Sequence, residues 1–275
     1  MIAKKRPSRR MARRPSDVWA EGHAYERYMG RWSRQVAEVF VARLGVPSGL
    51  RWLDVGCGTG ALTLTVAARC RPRAVLGLDR SPGFLRAARA AAPGPARFAV
   101  ADASALPLRD AVFDAAVSGL ALNFLEPPGP AVAEAARVVR PGGLVAAYVW
   151  DYTEGMGLLR RFWDAAASVD PAAATLDEGR RFPLCRPGPL RALWTGAGLV
   201  DVTVAPIEVP TVFSGFADLW EPFLSGQGPA PGYVATLTPA TRDRLRTRLA
   251  ATLPTGQDGT VFLAARAWAV RGRRP

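Results

Sequence analysis

The sequence predicts an α/β fold with a doubly wound, mostly parallel sheet of seven strands, helices on both faces and a helical cap insertion. Three observations point to it. From residue 51 to residue 150, short apolar runs alternate with amphipathic segments, the rhythm of parallel βαβ units. A loop with three alternating glycines, Gly56, Gly58 and Gly60, leaves the first apolar run and opens the next helix. Two further strand-like runs, 199–208 and 261–270, bracket an insertion over 209–259 and bring the strand count to seven.

The elements follow in order. Residues 1–16 are rich in Arg, Pro and Ser, the composition of a disordered basic arm. The remaining chain, 17–275, reads as one domain. Trp19, Tyr25, Tyr28, Met29 and Trp32 bring apolar bulk at helical spacing. Val36, Val39, Phe40 and Leu44 then repeat at i, i+3, i+4, i+8, so 17–45 forms N-terminal lid helices that end at Gly45. The core over 50–150 alternates strands at 51–55, 74–78, 96–100, 112–118 and 144–150 with helices at 59–70, from Pro82 onward, and at 130–139. Ser81 followed by Pro82 is an N-cap with proline at the first helical position. Beyond Trp150 the rhythm breaks, and 151–275 forms a second half. Helices are expected at 158–167 and 188–195. The insertion contains aromatic residues (Phe213, Phe216, Trp220, Phe223, Tyr233) and a basic helix at 241–249. A cap over the site is expected from this insertion together with 19–32.

The formal charge is +13, but it is concentrated at the ends. Lys4, Lys5, Arg6, Arg9, Arg10, Arg13 and Arg14 lie in one tail; Arg266, Arg271, Arg273 and Arg274 lie in the other. The body is nearly neutral, which argues against nucleic acid as a partner. Cys57, Cys70 and Cys185 lack metal-ligand spacing and leave one cysteine unpaired, as suits a reducing cytoplasm. No metal site is expected. The longest apolar strand region is far too short to span a bilayer, and no apolar stretch follows the basic N-terminus as in a signal peptide. A monomer or homodimer is expected.

The chemistry-bearing pattern starts with Leu53-Asp54-Val55-Gly56-Cys57-Gly58-Thr59-Gly60. Glycines let the backbone turn tightly beside a ligand, and a helix N-terminus offers unpaired N–H groups. This loop alone also satisfies a dinucleotide-binding pattern. Asp79 ends the second strand, where a carboxylate accepts from both hydroxyls of a ribose. Asp102 and Ala103 follow the third strand. A carboxylate there accepts from an adenine amine and the adjoining N–H donates to a ring nitrogen; the alternative is an Asx-turn.

As a set, these blocks resemble class I S-adenosylmethionine-dependent methyltransferases of Rossmann-like fold, within the broad group that includes the ubiquinone/menaquinone methyltransferases. Four blocks in order carry the resemblance: Leu53 to Gly60, Leu78-Asp79, Asp102 to Pro107 with Phe113-Asp114, and Arg140-Pro141-Gly142-Gly143. Tyr25 to Trp32 resembles the family's N-terminal lid. The resemblance implies S-adenosylmethionine as cofactor. Gly56, Gly58 and Gly60 would meet its methionine moiety, Asp54 its ammonium, Asp79 its ribose, and Asp102 with Ala103 its adenine. Tyr28 and Arg31 would close over it, with Arg31 pairing the carboxylate. Cys57, Arg80 and Ser118 complete the implied shell. A nicotinamide enzyme would not need the Asp102-Ala103 element.

Methyl transfer from a sulfonium releases a neutral thioether, so no acid is required and alignment can suffice. Candidates beside the methyl are His23 in the lid, Asn123 after the fourth strand, Asp151 and Tyr152 after the fifth, and Glu221 in the insertion. Base-methylating relatives carry an Asn/Asp-Pro-Pro-aromatic run after the fourth strand. Here Phe124 follows Asn123 and the prolines come later, which disfavours nucleic-acid and protein-glutamine substrates, and the aromatic insertion instead favours a largely apolar small-molecule acceptor. A catalytically silent cofactor-binding protein and an RNA-modifying enzyme using the basic tails are the alternatives.

Overall fold

The computed structural model describes residues 26–92, 94, 96–226 and 228–275. The basic arm, His23 and the first part of the lid (17–25) lie outside the described residues.

A π-helical turn, Glu26–Gly30, leads into α1 (Arg31–Leu44). The alternating core comprises β1 (Arg51–Val55), α2 (Ala61–Arg69), β2 (Ala74–Asp79), α3 (Pro82–Ala91), β3 (Ala96–Val100), β4 (Phe113–Gly119), α4 (Gly129–Val138) and β5 (Val139–Trp150). The second half comprises α5 (Gly157–Val169), the short α6 (Glu178–Arg181), α7 (Pro187–Gly196), β6 (Val200–Phe213), α8 (Phe216–Trp220), α9 (Pro229–Thr236), α10 (Pro239–Thr252) and β7 (Val261–Arg273). Single turns of 3-10 helix fill the connections at Leu122–Phe124 and Pro183–Cys185.

The seven strands form one sheet in the order β3-β2-β1-β4-β5-β7-β6. β1 to β5 pair in parallel, and β7 runs antiparallel between β5 and β6. Central β5 is buried on both faces from Leu144 to Trp150, which explains its unbroken apolar run. One apolar layer joins α1, α2 and α5 to the face carrying Trp52, Val117 and Tyr148; the other packs Val132, Leu190 and Trp194 against Leu53, Ala116 and Val145. The chain order reverses between β1 and β4, so a crevice opens at the carboxyl ends of these strands.

Element types follow the sequence pattern, and the boundaries move. β6 continues to Phe213, five residues into the expected insertion, because it pairs with β7 along its whole length. It is an edge strand, and Pro206 and Pro210 are tolerated there because an outward position has no ladder N–H to lose. The insertion is helical, but Phe213, Trp220, Phe223 and Tyr233 are buried in the main core. Phe223 stacks on Phe162 of α5 with ring centroids 4.5 Å apart.

Candidate functional site

The loop after β1 turns through three left-handed glycines: Gly56 at φ +75°, Gly58 at +55° and Gly60 at +92°. At Gly56 the requirement is also steric, since a Cβ would stand 2.5 Å from that of Ala121. The backbone N–H groups of Gly56 and Cys57 donate to the Leu78 carbonyl at 2.7 and 2.9 Å, fastening the loop to β2. A cavity opens above it, lined among others by Asp54, Gly56, Cys57, Gly58, Asp79, Arg80, Asp102, Ala103 and Phe124.

Asp54 is buried on β1. Its Oδ2 accepts from the Thr63 hydroxyl at 2.7 Å, while Oδ1 has no hydrogen-bond partner. Burial pushes its pKa up to about 7; the Thr63 hydrogen bond opposes this and Asp79 adds to it. An orphaned, buried carboxylate oxygen facing a cavity is costly unless a donor arrives. An ammonium fits that need.

Asp79 accepts from the Gly58 N–H at 3.0 Å and the Ser81 N–H at 2.8 Å, one on each oxygen. A carboxylate has about four acceptor positions, so these bonds leave capacity for a hydroxyl. Burial raises its pKa, against the pull of these backbone donors. Ser81 serves as the N-cap of α3, accepting from the Phe84 N–H. Asp102 is exposed at the cavity mouth and forms the Asx-turn as well, accepting from the Ser104 N–H and hydroxyl at 2.8 and 2.7 Å. Those bonds hold its pKa below the ordinary value.

Several expected site residues stand elsewhere. Ser118 donates to the Val55 carbonyl at 2.8 Å and lines a small apolar void on the opposite face of the sheet, because its strand position points that way. Tyr28 is buried against Phe223, ring centroids 5.5 Å apart, and beside Glu178; neither it nor Arg31 lines the cavity. The Arg31 guanidinium pairs with Asp218 at 3.2 Å and lies over Trp32 and Phe213.

On the acceptor side, Asp151 is engaged by Arg266 at 2.7 Å and by Thr153 and Glu154. Its pKa is lowered because these partners outweigh burial. It is a structural anion, not an available base. Tyr152 is buried against Phe182, and Glu221 is exposed on the insertion. Asn123 is buried; its amide donates to Cys185 Sγ at 3.6 Å and its Oδ1 has no partner. Its neighbour Phe124 lines the cavity and meets Phe182, ring centroids 5.4 Å apart.

Ser33, Leu120 and Tyr148 also line the cavity, and sequence reasoning missed them. Tyr148 sits in an apolar strand that gives no chemical signal. Glu178, likewise missed, is buried and accepts from the Trp163 indole N–H; burial first, then Asp177, raises its pKa to about 7.

Residues 53–147 match the methyltransferase domain family. A malonyl-[acyl-carrier protein] O-methyltransferase of Pseudescherichia vulneris is 40% identical over 113 residues, covering 41% of this chain and 44% of that protein. A trans-aconitate 2-methyltransferase of Methylobacterium nodulans is 35% identical over 157 residues, covering 55% and 57%. The chain thus spans about half the length of these curated relatives. Among solved structures, a phosphoethanolamine N-methyltransferase 2 of Haemonchus contortus in complex with S-adenosyl-L-methionine superimposes with a TM-score of 0.58 at 18% identity, covering 92% of this chain and 56% of that one, a likeness of fold. The glycine loop, the two strand-end carboxylates and the orphaned Asp54 oxygen lie within the matched segment, residues 53–147. Residues 53–147 belong to the methyltransferase domain family, their sequence blocks are those of the class I type, and S-adenosylmethionine is the cofactor these matches support.

Proposed function

We propose that this chain transfers a methyl group from S-adenosylmethionine to a small, largely apolar acceptor. The observation that carries the reading is the buried Asp54 oxygen left without a donor in a cavity whose other end is Asp79 and Asp102. These carboxylates match, in order, an ammonium, a ribose and an adenine amine. The cofactor supplies an electrophilic methyl on a sulfonium.

The chain's own part is to bind and align. Asp54 holds the amino-acid end, Asp79 accepts from the ribose hydroxyls, and the glycine loop brings bare backbone against the donor. Leu120, Phe124 and Leu125 form an apolar wall that excludes water and receives the acceptor. Asn123 is buried outside the cavity lining, with its amide oxygen unpartnered. Holding nucleophile, methyl and sulfur in line provides the rate enhancement without an acid. Two relatives are named for malonyl-[acyl-carrier protein] and trans-aconitate, which supports a small acceptor group; its apolar character rests on the cavity wall alone.

Incubating the full chain with methyl-labelled cofactor and fractionated metabolite extracts tests the reading. Label should move into an extractable small molecule, with stoichiometric S-adenosylhomocysteine. Cofactor binding without label transfer to any fraction would instead favour a silent binding protein.

A further inference from the structure

We propose that Tyr148 is the residue that positions the carboxylate of the methyl donor, in the role its arginine-bearing lid would otherwise fill. The proposal rests on the cofactor reading above and deepens it. The donor's amino-acid end carries an ammonium and a carboxylate, and a carboxylate drawn into a half-closed cavity requires hydrogen-bond donors. Arg31 pairs with Asp218 through Nη1 and is not among the residues that line the cavity. Among the described residues, the cationic side chain lining that cavity is Arg80, which adjoins Asp79 and therefore belongs to the ribose end. Among the described residues that line the cavity, the donors left for the opposite end are neutral.

Tyr148 is placed to do so. It is buried on β5, and its ring lies against Phe40, centroids 4.8 Å apart. In the parallel register it pairs with Gly119 of β4, and Asp54 of β1 pairs with Val117 two residues earlier on the same strand. Tyr148 leans across β4: a Cβ on Gly119 would stand 2.6 Å from its hydroxyl oxygen and 2.9 Å from Cζ. Only glycine at 119 leaves that passage open. The hydroxyl thus reaches over β4 toward β1, on the face where Asp54 presents its orphaned oxygen. An acceptor for the ammonium and a donor for the carboxylate are carried by neighbouring strands of one rigid sheet, and preorganisation of that kind limits the entropy lost on binding.

Calorimetric titration of the full chain with S-adenosylhomocysteine and with 5′-methylthioadenosine, which lacks the amino-acid end, tests the assignment. Tyr148→Phe should weaken S-adenosylhomocysteine about tenfold, leave methylthioadenosine unchanged and keep the melting temperature. Gly119→Ala, which pushes the hydroxyl aside, should show the same split between the two ligands. Equal affinity of native and Tyr148→Phe proteins for S-adenosylhomocysteine would overturn the assignment. So would equal weakening of both ligands, which marks a merely structural tyrosine. A native chain that binds neither nucleoside would refute the cofactor reading itself, and this assignment with it.

Discussion

Arg31 and Asp218, 187 residues apart in the chain, form an ion pair that ties the first helix to the insertion. The guanidinium is also held over the rings of Trp32 and Phe213, 4.6 and 4.8 Å from their centroids. These contacts support a structural role, while Nε and Nη2 are buried without a partner. Arg31→Ala should cost about 1–2 kcal/mol of stability, since the pair is one-third exposed and the ring contacts add to it. Affinity for S-adenosylhomocysteine should stay within about twofold. A chemical denaturation series and a titration on the same variant check both, and a large loss of affinity would return Arg31 to the cofactor.

Phe223 belongs to the core and not to a cap over the methyl group. It is fully buried, stacked on Phe162 and touched by Tyr28 and Trp220. Phe223→Ala should cost about 3–5 kcal/mol through lost burial and a residual cavity. Denaturant midpoints measure this. A cost under about 1 kcal/mol combined with lost turnover would mean that the ring faces the acceptor instead.

The buried carboxyls give stability a pH dependence with a definite sign. Asp54 rises from its ordinary 3.8 to about 7, and Glu178 from 4.5 to about 7. Between these limits each is protonated when folded and ionised when unfolded, so folding stability falls as pH climbs from about 4 to about 7. The slope is up to about 1.4 kcal/mol per pH unit for each group. The salt-bridged Asp114 and Asp151, whose pKa values are lowered, titrate below this window. Denaturation of the ligand-free chain at pH 5 and pH 8 should show lower stability at pH 8, with the difference reduced in Asp54→Asn. Cofactor affinity should rise over the same range as Asp54 ionises. Stability that increases from pH 5 to pH 8 would contradict the placement of both groups.

Much of this was legible in the sequence because the informative patterns are local. Gly56 to Gly60, Asp79 and Asp102 each sit at a strand end, where a few adjacent residues specify both the turn and the chemistry. Ser81 and Pro82 announced a helix start for the same reason. What stayed hidden depends on residues far apart in the chain. The destination of Arg31 is decided by Asp218, the length of β6 by its pairing with β7, and the burial of the insertion's aromatics by α5. Tyr148 is one apolar-strand residue among several, and only its pairing with Gly119 across β4 distinguishes it. Ser118 was misassigned because residues at the end of a strand alternate between faces, and its face is the one away from the cavity.

The most direct test of the central claim is calorimetric titration of the full chain with S-adenosylmethionine, alongside Asp79→Ala. One cofactor should bind per native chain. The variant should bind about ten- to a hundredfold more weakly at an unchanged fold, because buried ribose hydroxyls lose a charged acceptor worth about 1.5–3 kcal/mol. No binding by the native chain, or unaltered affinity in a folded Asp79→Ala protein, would contradict the account.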